Sequence, residues 1–325
     1  MSDRPRAREL GHAPGTRWPG RHNAITDVPG VRVGHTTVRR PPDVHTGVTA
    51  VDAGATPLAP LPAGFFSGNG YGKFIGSTQL VELGVIESPI VLTGTLSAFR
   101  AADALVDWML ARPDCRDVRS FNPVVGECND GYLSDIRSRP IGAADVLSAI
   151  ETASSGPVTE GCVGAGTGMT ALGFKAGIGT SSRAVDLDDG AVALGVLVLA
   201  NFGGSLRIGG RVVSPPQRET DGSCVVLVAT DARVDARQLT RLARRAVFGL
   251  GRVGANYSHG SGDYGLAFST TTAGEPTPDA RLDPLFESTL DCVEEAVLNS
   301  LSTATTTHGT NGHTETAIRL DDLRT

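Results

Sequence analysis

Ser214-Pro215-Pro216-Gln217-Arg218-Glu219-Thr220-Asp221-Gly222-Ser223-Cys224-Val225-Val226-Leu227-Val228-Ala229-Thr230 changes character abruptly at its middle. The first half is proline, glycine and polar residues. Such a run cannot build a core and reads as a surface loop. The second half is a β-branched run bounded by turn residues, the pattern of a buried strand. Gly222-Ser223 is the junction. A serine there can attack the carbonyl before it and become a new N-terminal residue. Glycine suits the position because no side chain shields its carbonyl and unusual φ is tolerated. Taken alone, the dipeptide reads more simply as the end of a turn.

The same alternation extends through the chain. Strand-like runs lie at 47–53, 89–93, 191–200, 224–230 and 265–269, and helix-like runs at 97–111, 143–152, 235–250 and 284–301. In the 235–250 run, Leu239, Leu242, Ala243, Ala246, Val247 and Leu250 recur at helical spacing as one apolar stripe. Arg237, Arg241, Arg244 and Arg245 fill the other side and read as a solvated face, with Gly251 as the stop. The last helix opens with Asp283-Pro284, a cap followed by proline in the first turn. There is no internal repeat, and mixed strands and helices point to a layered α/β fold. Residues 1–22, rich in Arg, Gly and Pro, read as a loose arm. Residues 203–222 read as a long excursion without secondary structure, a type of loop that often carries function.

Bulk properties narrow the function classes. A chain of 325 residues with 40% hydrophobic content can bury a sizeable core. Its 41 glycines and 5% aromatics imply tight turns and close backbone approaches. The net charge of −6 argues against non-specific nucleic-acid binding. The five cysteines are scattered with no CxxC pair, so neither a zinc knuckle nor a disulfide framework is indicated. No apolar segment follows the N-terminal Arg-rich stretch, and no run reaches the roughly 20 apolar residues that span a bilayer. The expectation is a soluble cytoplasmic protein with no membrane or nucleic-acid partner.

Individual motifs are ambiguous. Gly161-Cys162-Val163-Gly164-Ala165-Gly166-Thr167-Gly168 looks like a phosphate loop but lacks the preceding strand, so it reads as a packed glycine turn. His308 and His313 lack a third ligand and read as loop histidines. Cys128 and Cys224 read as buried structural thiols, and strand alternation turns Cys224 away from the face of Ser223. Asn201 ends the strand at 191–200, where an amide can donate to an oxyanion or merely form a local turn. Ser258-His259-Gly260-Ser261-Gly262-Asp263 is a turn in which Ser261 and Asp263 can orient a nucleophile. Gly126-Glu127-Cys128-Asn129-Asp130-Gly131-Tyr132 carries a carboxylate able to hold an ammonium group.

Taken in order, these segments resemble the DmpA/BapA family of self-processing N-terminal-serine aminopeptidases. The resemblance runs from Asn23 to about His313. It begins with Asn23-Ala24-Ile25-Thr26-Asp27-Val28-Pro29-Gly30 and includes Gly164-Ala165-Gly166-Thr167-Gly168-Met169 and Ala200-Asn201-Phe202-Gly203. It peaks at Asp221-Gly222-Ser223 and Gly260-Ser261-Gly262-Asp263. Several motifs in the right order reverse the bland readings of Ser223, Asn201 and Ser261.

The resemblance implies a single α/β domain, a four-layer αββα sandwich like the N-terminal-nucleophile hydrolases but with different strand connectivity. It implies self-cleavage between Gly222 and Ser223 into a large chain, 1–222, and a small chain, 223–325. It implies release of N-terminal residues from short peptides, amides and esters bearing a free amino group, with L-α-, D-alanyl or β-amino preference differing among members. Carried over by residue, Ser223 is the nucleophile, Asn201 the oxyanion donor, Ser261 and Asp263 its support, and Glu127 the ammonium-binding acid. Asn129 stands where members often carry tyrosine, so either Asn129 or Tyr132 takes that place. Lys73 stands where many relatives carry an acid. The general base is either the liberated amine or Asp263 acting through Ser261. No metal or organic cofactor is implied, and a homo-oligomer of processed pairs is. Rival readings are an acyltransferase of the self-cleaving ornithine acetyltransferase type and a non-catalytic binding protein.

Overall fold

Two sheets carry the architecture in the computed structural model, which describes residues 4–188, 190–213 and 222–324. The strands are β1 (Arg32–Arg40), β2 (Val44–Asp52), β3 (Leu61–Gly70), β4 (Phe74–Ile75), β5 (Val85–Ile86), β6 (Ile90–Gly94) and β7 (Val124–Cys128). A short hairpin, β8 (Thr170–Ala171) and β9 (Phe174–Lys175), precedes β10 (Ile178–Leu187) and β11 (Gly190–Asn201). A second small hairpin, β12 (Arg207–Ile208) and β13 (Arg211–Val212), is followed by β14 (Ser223–Thr230) and β15 (Gly262–Ser269). The helices are α1 (Ser77–Leu83), α2 (Ala98–Leu110), α3 (Ala143–Glu151), α4 (Ala236–Gly249) and α5 (Asp283–Ser302). One sheet has the order β1-β2-β6-β7-β4 and the other β10-β11-β14-β15-β3-β5.

Three apolar layers separate four structural layers. Val48, Val91 and Val125 of the five-stranded sheet pack on Leu105 of α2 and Val146 of α3. Leu92 and Val124, on the other face of that sheet, meet Leu227 and Leu266 of the second sheet. Val226 and Val228 then face Leu242 of α4 and Val293 of α5. The central strands are thus covered on both faces, which is why β14 reads as one unbroken apolar run. The result is the expected αββα sandwich. The parallel pairs β6–β7 and β14–β15 each need a crossover, supplied through α2 and α4.

Three local readings are corrected. The N-terminal segment from Arg4 onward is tied down rather than loose. Arg4 donates to the carbonyls of Ser302 and Ile318, the Ala7 N–H donates to Asn299 Oδ1, and Ala7 and Leu10 are buried. Within the excursion at 203–222, residues 207–212 form the β12–β13 hairpin, while 214–221 lie outside the described residues. The arginines of α4 are not simply solvated. Arg241 and Arg245 lie over the Phe286 ring and Arg244 over Phe66, covering aromatic surface with their planar heads. The glycine turn is packed as expected: a Cβ on Gly177 would sit 1.9 Å from the Gly161 carbonyl oxygen.

The opening Asn23 motif serves a buried ion pair. Arg183 of β10 and Glu295 of α5 lie 2.7 Å apart with fully buried side chains. Glu295 also accepts from Arg8 at 2.7 Å and from Asn23 Nδ2 at 2.6 Å, while Asn23 Oδ1 accepts the Ser182 N–H. This network locks the N-terminal segment, β10 and α5 together. Removing one partner leaves a buried charge unpaired, which costs about 3–5 kcal/mol. Glu295→Ala is therefore expected to lower unfolding stability in urea by about that amount. A loss smaller than about 1 kcal/mol, the range of a surface pair, would show that the network carries no such weight.

Candidate active site

β14 begins at Ser223, and both its neighbours are in register there. Asn201, the last residue of β11, pairs with Ser223 on one side, and Gly262, the first residue of β15, pairs with it on the other. Adjacent strands run about 4.8 Å apart, so three chain segments meet at this point. Ser223 shares the parity of Val225 and Leu227, which face the layer between the sheets, whereas Cys224 faces the helices. This is the orientation expected from alternation.

Gly222 is required by space. A Cβ there would lie 2.2 Å from the Asn201 carbonyl oxygen and 2.4 Å from Phe202 Cα. Its φ is not in the left-handed region, so the conformational freedom expected of this glycine is not what selects it. The Gly222 carbonyl oxygen accepts the Gly262 N–H at 3.3 Å.

A cavity of about 840 Å³ opens at this end of the sandwich, with Ser223, Gly222, Glu127, Asn129, Lys73 and His259 among its lining residues. Ser223 comes from the six-stranded sheet, and Glu127, near the end of β7, from the five-stranded one. The Glu127 carboxylate is buried, and its Oε1 accepts the Lys73 main-chain N–H at 2.8 Å. Lys73 Nζ lies 3.5 Å from the same oxygen and donates to Thr95 Oγ1 at 2.7 Å.

Asn201 has a defined amide orientation. Its Oδ1 accepts the Thr170 N–H at 3.1 Å, and its Nδ2 donates to the Asn129 carbonyl at 3.2 Å. The amide nitrogen is therefore a donor on the register partner of Ser223, with a second N–H still to give. Asn129 itself is exposed and its Oδ1 accepts the Gly131 N–H at 2.9 Å, a local turn. Tyr132 stacks on His313, ring centroids 4.4 Å apart, and is not among the cavity-lining residues. Of the two residues considered for the missing tyrosine, Asn129 is the one placed at the cavity.

Ser261 Oγ donates to Asp263 Oδ1 at 2.7 Å. Asp263 pairs in register with Cys224, so its side chain projects from the face opposite to that of Ser223. Burial pushes its carboxyl up, against the lowering effect of the Ser261 hydroxyl. Its Oδ2 is buried with no hydrogen-bond partner among the described residues. This pair flanks the start of β15 rather than lining the cavity.

Sequence reasoning missed Tyr264. A Cβ on Gly72 would sit 3.1 Å from both Glu127 Oε1 and the Tyr264 hydroxyl, so the phenol lies close to the carboxylate. Burial, and secondarily the Glu127 charge, push the phenol up to about 12, which keeps it a proton donor at neutral pH. The available signal was its place in the strand at 262–269, with the parity of the intersheet layer. Among the described residues, no helix is long and apolar enough to cross a membrane.

The geometry agrees with comparisons to known proteins. The family described as peptidase family S58 matches residues 23–315. A curated relative, the beta-peptidyl aminopeptidase BapA of Sphingosinicella microcystinivorans, is 39% identical, with 98% of this chain and 91% of its own length covered. The crystal structure of protein PH0078 from Pyrococcus horikoshii OT3 superposes with a TM-score of 0.92 at 41% identity, covering 98% of each chain. The L-aminopeptidase D-Ala-esterase/amidase of Ochrobactrum anthropi superposes with a TM-score of 0.90 at 38% identity, covering 98% of this chain and 97% of that one. That enzyme is described as a prototype for the serine aminopeptidases and as a new variant among the Ntn hydrolase fold. With the match spanning nearly the whole chain, this protein belongs to peptidase family S58.

Proposed function

We propose that Ser223 is the nucleophile of this serine aminopeptidase and that the chain liberates it by cutting itself after Gly222. The observation that carries the reading is the meeting, at one cavity, of Ser223 and the buried carboxylate of Glu127, with Asn201 the register partner of Ser223 on the neighbouring strand.

In self-cleavage, Ser223 Oγ attacks the Gly222 carbonyl carbon. The Gly262 N–H that donates to this carbonyl oxygen is aimed where negative charge develops. The C–N bond breaks, the amine takes up a proton, and an ester remains. Water hydrolyses the ester to a Gly222 carboxylate and a free Ser223. The pieces 1–222 and 223–325 stay together because β14 is paired on both sides and buried on both faces.

In turnover, the substrate ammonium pairs with Glu127, which sets the N-terminal residue at the scissile carbonyl. Ser223 Oγ attacks that carbonyl, and its proton passes to the neutral α-amine of the same residue. The second N–H of Asn201 donates to the oxyanion, and the leaving amine departs protonated. Water then releases the acyl group from Ser223. Asp263, bonded to Ser261 at the start of the strand that pairs with Ser223, tunes or shares that base role. Short peptides, amides and esters with a free amino group are the proposed substrates, in line with the names of the relatives.

Ser223→Ala is expected to abolish hydrolysis of aminoacyl nitroanilides, and Asn201→Ala to lower turnover about 10²–10³-fold. Wild-type rates in Ser223→Ala would remove the nucleophile from this serine. Glu127→Gln is expected to slow aminoacyl amides far more than esters that lack an amino group, measured side by side. Equal losses on both would remove its ammonium-binding role. An α-amine titrates near pH 7.7–8.0 and works as a base when deprotonated, so kcat/KM is expected to fall as pH drops through about that range. A profile flat down to about pH 5 would assign the base elsewhere.

A further inference from the structure

Resting on the aminopeptidase reading of this cavity, we propose that Lys73 makes it selective for N-terminal residues carrying a carboxylate beside the ammonium group, namely aspartyl residues linked through either carboxyl.

Charge balance within the cavity sets this selectivity. The ionisable side chains lining the cavity are Lys73, Glu127, His259 and the phenol of Tyr71. Lys73 Nζ stands 3.5 Å from Glu127 Oε1, and its side chain is 37% exposed where that of Glu127 is 2%. The carboxylate is thus neutralised before any substrate arrives. A substrate bringing an ammonium alone would place two cations around one buried carboxylate, a like-charge contact that opposes binding. A substrate bringing an ammonium and a carboxylate on the same or adjacent carbons makes two opposite-charge pairs, ammonium to Glu127 and carboxylate to Lys73. These four paired groups then sum to zero, beside the Gly222 carboxylate and the neutral Ser223 amine that processing leaves at the cavity.

The surrounding bonds suit this exchange. Glu127 is anchored by the main-chain N–H of Lys73, so it keeps its place when the Lys73 ammonium turns to a substrate. Thr95 Oγ1 accepts from Lys73 Nζ, leaving its own hydrogen to donate to the same carboxylate. In a β-linked aspartyl residue the ammonium and carboxylate share one carbon, and one methylene separates that carbon from the scissile carbonyl. That is the spacing of a β-amino acid, and one relative is named a beta-peptidyl aminopeptidase.

The test compares kcat/KM for β-aspartyl and α-aspartyl nitroanilides, each beside its isosteric carboxamide. Wild-type protein is expected to prefer the carboxylate about tenfold or more in at least one linkage. That preference should vanish in Lys73→Met and persist in Lys73→Arg, and the two linkages separate the α from the β form. A wild type that takes the carboxamide equally well, or a preference that survives Lys73→Met, overturns the proposal. If the wild type cuts no aminoacyl amide at all, the aminopeptidase reading fails instead. Calorimetric binding of the same carboxylate and carboxamide pairs to wild type and Lys73→Met, where the same preference and the same loss are expected, then decides the Lys73 subsite.

Discussion

The pairing of one residue, Ser223, on both of its sides is the constraint on which this molecule turns. β11 reaches it at Asn201 and β15 at Gly262, so the backbone around the Gly222–Ser223 bond is held by the interior of a six-stranded sheet. The glycine is forced by the approach of Asn201 and Phe202, not by an unusual backbone angle. A bond held this firmly presents its carbonyl to a neighbouring hydroxyl and to a backbone N–H with little left to arrange. This is what electrostatic preorganisation asks of a site.

The second sheet supplies what the first cannot. Glu127 sits two residues past the apolar pair Val124-Val125, where β7 leaves the core and opens on the cavity. A carboxylate this deeply buried needs compensation, and it has the Lys73 amide and ammonium on one oxygen with the Tyr264 hydroxyl nearby. Sandwich and site are therefore one construction: the intersheet layer sets the separation between the proposed nucleophile and the proposed ammonium-binding acid. The chain ends that would arise at the Gly222–Ser223 bond both line the cavity.

Legibility followed burial pattern. β14 and β11 were readable because both of their faces are apolar, and the helix stripes of α4 and α5 were readable for the same reason. β3 escaped notice because Gly64, Gly68 and Gly70 interrupt it. Gly64 is there because α4 lies on the strand, its Thr240 nitrogen 2.1 Å from where a Cβ would stand. β10 escaped because Ser181, Ser182 and Arg183 are polar, yet each is hydrogen-bonded to α5 or the N-terminal segment. Among the proposed site residues, Ser223, Asn201 and Ser261 take their reading from the order of several motifs, not from any one of them. The contact of Lys73 with Thr95 and the approach of Tyr264 to Glu127 join segments far apart in sequence, so no local pattern could announce them.

The most direct measurement is the intact mass, under denaturing conditions, of freshly purified material that hydrolyses aminoacyl amides. The account predicts two polypeptides whose masses sum to the translated chain plus one water, the smaller beginning Ser-Cys-Val-Val. A fully active preparation containing only the uncut chain would contradict it.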